Sequence, residues 1–398
     1  MSDTDVRDPG IGRNQRTLRD HNERLILTTL LRNGASAGSD IARRTGLSPQ
    51  TVSVIMRGLE QDGLLTRGDP QRGRVGKPSI PMDLSPTGAY AVGLKIGRRS
   101  ADLVLTDMIG TIIAERNLTY RFPMPEPILA FLQAGLDAFG DHLGAEASNR
   151  IAGIGIAKPY EIWNWHDTIG APADKLDAWR TFDFVAAIAD FSALPVFVEN
   201  DATAASRAEH IYGVGRNWRD YAYFFVGSFI GGGVILNHSV FDGPTGNAGA
   251  FGSLPMRSAD GRDIQLIDTA SLHLLESALT RAGHDPMAMW AQPQDWRAFN
   301  GIVDDWINAT AEQIALASLM VCSVIDFEAI VIDGGFPADV RDRLVARTAD
   351  HLGRLDLRGL AAPAVVAGSV GPNARAQGAA ATPILSQFFL NSHQEQGA

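Results

Sequence analysis

Asn200 and Asp201 are adjacent short polar side chains that could hydrogen-bond a ligand. They follow the strand-like run LPVFVEN at 194–200 and precede a helical stretch at 201–212. In this position their oxygen atoms could accept hydrogen bonds from vicinal hydroxyl groups of a ligand. Asn and Asp are also preferred helix caps, so the pair alone leaves both ligand binding and helix capping open.

A second group of polar and basic residues, near the N-terminus, could contact DNA. In the run SPQTVSVIMRGLEQDGLL, Ser48 suits a helix N-cap and Pro49 suits the first helical position. Val52, Ile55 and Leu59 then fall on one face of the predicted helix. The candidates for base or phosphate contacts on and beside this helix are Arg43, Arg44, Ser48, Gln50, Thr51, Ser53 and Arg57.

The elements around this helix predict a winged helix-turn-helix. The apolar spacing between Asn14 and Arg32 indicates a first helix, and SDIARRTG indicates a second one, capped by Ser39 and ended by Gly46. Leu64 and the residue after it begin a wing strand. In such motifs the later helix enters the major groove. An ordinary helical hairpin would show the same apolar spacing, so the pattern alone leaves that alternative open.

The segment RGRVGKP at 72–78 places Arg72, Arg74 and Lys77 on an extended backbone. Such basic arms can enter a narrow minor groove, although a solvated basic loop has the same composition. The charge distribution favours DNA binding by the N-terminal part of the chain. The chain carries a net charge of −10, but residues 1–88 carry +3 and the remainder −13. This asymmetry is typical of a nucleic-acid module joined to an acidic body.

The composition sets the wider limits. A chain of 398 residues with 45% hydrophobic residues is expected to form two or three domains with a sizeable core. The polar N-terminus and the lack of a long apolar run predict a soluble cytoplasmic protein without membrane contact. Cys322 is the single cysteine, which excludes an internal disulfide and a multi-cysteine zinc site. We expect no metal and no cofactor.

From Tyr90 onward, strand-like and helical segments alternate, which is typical of a layered α/β body. We therefore predict a disordered tail at 1–13, the winged helix at 14–80, a linker at 81–88 and the body at 89–398.

Ordered motifs along the chain resemble those of the ROK family of repressors and sugar kinases. Beside the winged helix with its GKP wing, the motifs are GLKIGRR at 93–99, GIGIAKP at 153–159, VENDATAAS at 198–206, IGGGV at 230–234, GNAGAFGSL at 246–254, IDGG at 332–335 and NARAQGAAA at 373–381. The resemblance implies an actin-like, ribonuclease-H-like ATPase fold with two lobes around a cleft. One lobe would comprise 89–198 and the C-terminal helix, and the other 199–372.

Carried over residue by residue, the resemblance implies that kinase activity is lost. The family's kinases hold phosphate and metal with a GGT loop that contains an Asp, and here Lys95 stands at that Asp. Arg98 and Arg99 replace the loop's second Gly and its Thr, and could fill the space or hold an anion. Phe229 replaces a glycine of the second, nucleotide-binding loop. Asp201 matches the kinases' general base but is not expected to be catalytic here.

The implied sugar site is only partly kept. Asn200 and Asp201 match the sugar-binding pair, while Ala250 and Ser253 stand where the family has Glu and His. The region of the family's zinc loop contains no cysteine. Asp268 lies beside the position of another family Glu and could replace it. Lys158 replaces a small residue and could line the cleft or face solvent. These changes favour a sugar derivative or another polyol-like metabolite over a plain hexose.

The expected function is that of a DNA-binding transcriptional repressor with a sugar-derived effector. A homodimer, or a higher homo-oligomer, would bind a pseudo-palindromic operator in double-stranded DNA. Two alternatives stay open: a sugar kinase with a DNA-binding appendage, and a body that works through protein partners.

Overall fold

The computed structural model describes residues 10–70, 80–165, 173–258, 260–291 and 293–390. The helices are α1 Gly10–Asn33, α2 Gly38–Thr45, α3 Pro49–Gln61, α4 Pro125–Leu143, α5 Ala145–Ser148, α6 Ala173–Leu176, α7 Phe184–Ala189, α8 Asp201–Tyr212, α9 Leu272–Arg281, α10 Asn300–Val324, α11 Ala338–Leu352 and α12 Ala374–Phe388. The strands are β1 Leu65–Arg67, β2 Met82–Leu84, β3 Tyr90–Ile96, β4 Ser100–Asp107, β5 Ile112–Thr119, β6 Ile151–Lys158, β7 Val196–Asn200, β8 Tyr221–Val226, β9 Ile230–Leu236, β10 Ser239–Phe241, β11 Pro255–Arg257, β12 Asp263–Gln265, β13 Ala329–Gly334 and β14 Ala364–Ala367.

The first three helices and two strands form the winged helix. Helix α3 begins as predicted, because the Ser48 side chain accepts a hydrogen bond from the Thr51 amide at 3.1 Å and proline occupies the first turn. Gly46 ends α2 in the left-handed conformation. The predicted cap at Ser39 is wrong. The backbone is extended at Ala37, whose carbonyl accepts the first helical hydrogen bonds, so α2 already begins at Gly38.

Two predicted boundaries differ from the structure. Helix α1 begins at Gly10, inside the segment predicted as a disordered tail. The predicted linker at 81–88 contains β2, which pairs antiparallel with β1 as the second strand of the wing. Met82 and Leu84 are buried on the inner face of this strand, because alternate residues of a strand point to the same side. Only residues 85–89, including a short 3₁₀ turn, connect the wing to the body.

Two five-stranded sheets of the same topology form the body. The first has the order β5-β4-β3-β6-β7 and the second has the order β10-β9-β8-β13-β14. In each sheet, three antiparallel strands are followed by two strands that pair in parallel. The parallel strands require crossover connections, which the intervening helices supply.

Helices α8 and α12 cross between the two halves of the body. Helix α8 follows β7 of the first sheet but packs against β9 of the second sheet. Helix α12 follows β14 of the second sheet but packs against β3 and β6 of the first. The two helices also pack on each other with backbones in contact, because a Cβ at Gly378 would overlap the carbonyl oxygen of Ala204.

The winged helix is not a separate globule, because it shares one hydrophobic core with α12. Phe389, just after α12, is 1% exposed in this core. The Arg24 guanidinium donates a hydrogen bond to the carbonyl of Ser386 at 3.2 Å, and the Leu390 amide donates to the Thr28 hydroxyl at 3.0 Å. The shared core also includes Ile26, Leu27, Leu30, Met82, Leu84, Ala376, Ala380 and Ile384.

The stretch Arg297–Val324 is long and apolar enough to cross a membrane. Half of its most apolar part is buried inside the protein. Val303, Ile307 and Ile314 of this stretch pack in the core beneath the second sheet. The core helix of a globular domain has the same length and composition.

Because α8 and α12 pack with their backbones in contact, one methyl group added at this contact should destabilise the protein. We expect Gly378→Ala to lower the free energy of unfolding by about 2–3 kcal/mol, because the added methyl forces two packed backbones apart. Gly301→Ala in α10 is the matched control, since a Cβ there meets open space. It should leave stability unchanged to within about 1 kcal/mol. Urea unfolding followed by circular dichroism measures both, and equal stabilities would contradict the prediction.

Candidate DNA-binding surface and ligand cleft

The outer face of α3 presents the side chains predicted to read DNA. Gln50, Ser53 and Arg57 are exposed along this face. The Ser48 hydroxyl lies 2.8 Å from the Thr51 hydroxyl and also accepts from the Thr51 amide. Ser48 and Thr51 therefore shape the start of the helix, while the other three side chains project outward.

The predicted phosphate contacts have mixed surroundings. Arg43 pairs with Asp40 at 2.7 Å, and Arg44 donates to the Asn33 side chain at 2.8 Å. Both arginines are exposed at the end of α2, and exposed pairs of this kind exchange readily for other partners. Arg72, Arg74 and Lys77 lie outside the described residues.

A cleft of about 1250 Å³ lies between the two halves of the body. Asn200, Asp201 and Asp268 line it, as do Ala250 and Ser253. Lys158, at the end of β6, is not among the lining residues. Its ammonium lies 5.8 Å from the centroid of the Trp163 ring. Burial lowers the pKa of Lys158, and the nearby Asp201 carboxylate opposes this shift.

Asp201 is the first residue of α8 and is held by an arginine that sequence reasoning missed. Its carboxylate lies 3.3 Å from the guanidinium of Arg375, in the first turn of α12. Both side chains are mostly buried, and the Arg375 guanidinium lies 4.9 Å from the centroid of the Phe225 ring. Arg375 belongs to the motif NARAQGAAA, but its partner stands 174 positions away, so only the fold reveals the pair.

The two other polar candidates in the cleft differ in what they bind. Asn200 stands at the N-cap of α8, yet its side chain makes no capping hydrogen bond. Its amide nitrogen instead lies 3.5 Å from the Asn247 side-chain oxygen. Asp268 accepts a hydrogen bond from the Gln265 amide at 2.9 Å, which closes a short turn. Asn200 therefore remains available to a ligand, whereas one Asp268 oxygen already serves the local backbone.

Lys95 and Arg98 stand in the part of the cleft where the resemblance places phosphate, and each has an acidic partner. The Lys95 ammonium lies 2.8 Å from the Asp102 carboxylate and is buried. Burial lowers the pKa of Lys95, while Asp102 acts in the opposite direction. Arg98 forms an ion pair of 3.0 Å with Glu276 of α9, which bridges the first half of the body to the second.

Aromatic side chains complete this region. The Arg98 guanidinium lies 5.9 Å from the centroid of the Phe229 ring, and the Trp290 indole donates to Glu276 at 2.9 Å. Arg99 also lines the cleft, and its guanidinium donates a hydrogen bond to the carbonyl of Arg121 at 2.6 Å. Among the described residues, no group of three or more His, Cys, Asp and Glu side chains is arranged to hold a metal ion.

Two segments of the chain match known protein families. Residues 91–268 match the ROK family, and residues 19–66 match a winged helix-turn-helix DNA-binding family. An uncharacterized protein of Sinorhizobium fredii, y4fQ, is 26% identical over 383 residues, which cover 95% of this chain and 94% of that one. The xylose repressor of Bacillus spizizenii is 26% identical over 233 residues, which cover 58% of this chain and 60% of the repressor.

A solved structure shares the whole architecture. The crystal structure of a ROK family transcriptional regulator, described as a homolog of the E.coli MLC protein, superposes with a TM-score of 0.64 at 18% identity. The superposition covers 93% of this chain and 98% of that one. This likeness confirms the predicted fold, a winged helix followed by a two-lobed actin-like body.

The outer face of α3 predicts separable effects on DNA binding. Arg57→Ala should weaken binding to all sequences and reduce the slope of log K against log salt concentration by about one, because we expect Arg57 to contact a phosphate. Gln50→Ala should instead relax the preference at one base pair by about 1–3 kcal/mol. Fluorescence anisotropy at several salt concentrations measures both.

Arg358→Ala is the control for loss of charge, since this exposed arginine pairs with Asp356 in the second half of the body. It should bind like the wild type. If Arg57→Ala keeps the wild-type salt slope, Arg57 does not contact phosphate.

Proposed function

We propose that this protein, which combines a ROK family domain with an N-terminal winged helix-turn-helix, is a DNA-binding transcriptional repressor that responds to a sugar or sugar-derived metabolite. The similarity to a xylose repressor supports both the DNA partner and the class of effector. The cleft offers the hydrogen-bonding groups of Asn200 and Asp201 to hydroxyls of the effector. Ala250 and Ser253 leave room there for a substituted sugar.

The observation that carries this proposal is the course of helix α12, which joins the cleft to the DNA-binding domain. Arg375 in its first turn pairs with Asp201 in the cleft. At its other end, Ser386 and Phe389 contact Arg24 and the core of the winged helix. The helix has 15 residues and is therefore about 22 Å long. A change at Asp201 can thus reach the winged helix through one continuous helix.

The effector would act by competing for Asp201. When sugar hydroxyls bind the Asp201 carboxylate, the balance of its ion pair with Arg375 changes, and α12 moves together with α8, on which it packs. The winged helix moves with α12 because the two share a core. In a dimer, this movement changes the spacing of two recognition helices that must meet grooves about 34 Å apart. Loss of operator affinity is the expected direction.

Further assignments complete the proposal. The active form is a homodimer or a higher homo-oligomer, and it works in the cytoplasm, where the chromosome is. Arg72, Arg74 and Lys77 are proposed as minor-groove contacts beside α3. Lys158 and Asp268 are proposed as additional effector contacts, Lys158 through the charge it directs toward Asp201.

The alternative of a sugar kinase is disfavoured by the ion pairs in the cleft. A general base must be free to take a proton from the attacking hydroxyl, whereas Asp201 is paired with Arg375. Lys95 and Arg98 occupy the space of the phosphate loop, and Phe229 fills the second loop beside Arg98. We therefore propose that the protein is not an enzyme.

Titration with nucleotide tests this alternative. We expect calorimetry with millimolar Mg-ATP to give no binding heat, because Lys95, Arg98 and Phe229, which line the cleft, replace residues of the phosphate-binding loops that the resemblance implies. A coupled assay for ADP release with a panel of sugars should stay at background. Micromolar affinity for Mg-ATP, or sugar-dependent ADP release, would restore the kinase.

A substitution at Asp201 tests whether the cleft binds the effector. A thermal-shift screen of sugars and sugar derivatives first identifies a stabilising compound. This compound should change the operator affinity of the wild type by about 5- to 150-fold, the range of typical allosteric coupling. Asp201→Asn should lose this response and bind operator as weakly as the effector-bound wild type, because the amide cannot form the ion pair with Arg375 and offers one acceptor oxygen to the hydroxyls where the carboxylate offers two.

Asp242→Asn is the matched control. Asp242 also pairs with an arginine, Arg207, at 3.3 Å, but is not among the residues lining the cleft. This variant should respond like the wild type. An Asp201→Asn protein with the wild-type response would remove the cleft from the mechanism.

A further inference from the structure

Val54 is an apolar side chain on the outer face of α3 that the core does not use. It is 63% exposed, whereas Val52, Ile55, Met56 and Leu59 of the same helix are buried. Within the described part of the winged helix, the other large apolar side chain of comparable exposure is Ile80, at 40%. Val54 therefore contributes little to the stability of the domain.

The neighbours of Val54 are the side chains that face DNA. Gln50, Ser53 and Arg57 lie one turn before, beside and almost one turn after it, and all three are exposed. Residues spaced by three, four and seven positions share one face of a helix. Val54 thus lies on the same exposed face of α3 as Gln50 and Arg57, the face expected to enter the major groove. A face so polar is a poor docking site for another protein, because three hydrogen-bonding side chains would lose water.

The chemistry of the major groove leaves one partner for such a side chain. Base edges there present hydrogen-bond donors and acceptors, and the exposed apolar group is the C5-methyl of thymine. Valine suits this contact, because its branched side chain is already restricted at χ1 and loses little freedom on binding. Gln50, one turn away, has the amide that pairs with adenine.

We propose that Val54 is a specificity-determining residue that packs against a thymine methyl group in each half-site of the operator, beside the base pair that Gln50 reads. This inference rests on the proposed function as a DNA-binding repressor. It predicts that the protein distinguishes thymine from uracil, two bases that form the same hydrogen bonds and differ only by the methyl group.

The test uses the full chain and begins with selection of a high-affinity duplex from a random library. Each thymine of the selected duplex is then replaced singly by 2′-deoxyuridine, and the dissociation constant is measured by anisotropy at fixed salt. We expect one position in each half-site to raise the dissociation constant about fourfold, the effect of exposing one buried methyl group. The same replacement in both half-sites should raise it about 15-fold.

The variants assign the effect to one side chain. Val54→Ala should bind the thymine duplex more weakly and become indifferent to uracil at the sensitive position. Gln50→Ala should keep the fourfold difference there while losing selectivity at its own base pair. Because Val54 is exposed, its replacement should leave the urea unfolding curve unchanged, which separates lost contact from lost fold.

The outcomes distinguish this inference from the function on which it rests. Tight, sequence-specific binding with no thymine sensitive to uracil, or a Val54→Ala protein that keeps the sensitivity, overturns the role of Val54 and leaves the repressor intact. If the full chain selects no sequence from the library, the proposed function itself fails, and the role of Val54 fails with it.

Discussion

The backbone contact between α8 and α12 holds the cleft and the DNA-binding domain in one mechanical unit. Helix α8 starts at Asp201 in the cleft, and α12 starts beside it and ends in the core of the winged helix. Small residues make this contact possible, since Gly378 and Ala204 meet at the crossing and Gly155 of β6 meets the backbone at Ala379. Densely packed interiors transmit displacements because they have no free volume to absorb them.

Ion pairs within the cleft add a second constraint. Asp201 with Arg375, Lys95 with Asp102 and Arg98 with Glu276 are each partly or fully removed from water. Breaking such a pair leaves a buried charge without compensation, which costs more than the pair contributes to stability. A ligand that engages one member must therefore either satisfy the other or move it.

The winged helix is joined to the body by a short connection. A DNA-binding domain on a long flexible linker would keep its orientation independent of the body. Here the connection shrinks to residues 85–89, because β2 belongs to the wing, and Arg150 of the body donates a hydrogen bond to the carbonyl of Thr87. Docking on α12 and this short connection together fix the orientation of the winged helix on the body.

The local elements and the class of the protein follow from short-range patterns in the chain. The periodicity of Val52, Ile55 and Leu59 and the Ser48–Pro49 cap specify α3 through interactions within a few residues. The alternation of strands and helices from Tyr90 specifies the α/β body. The motifs around Asn200 and Asp201 locate the cleft.

The partners of these residues, in contrast, depend on the packed fold. Arg375 pairs with Asp201 across 174 positions and Glu276 with Arg98 across 178, distances over which no local pattern carries information. The short strand Met82–Leu84 read as a linker because three residues hold too little pattern, and pairing with β1 made it part of the wing. Likewise, Phe389 became part of the winged-helix core through packing, because hydrophobic burial depends on which surfaces meet and not on their order in the chain.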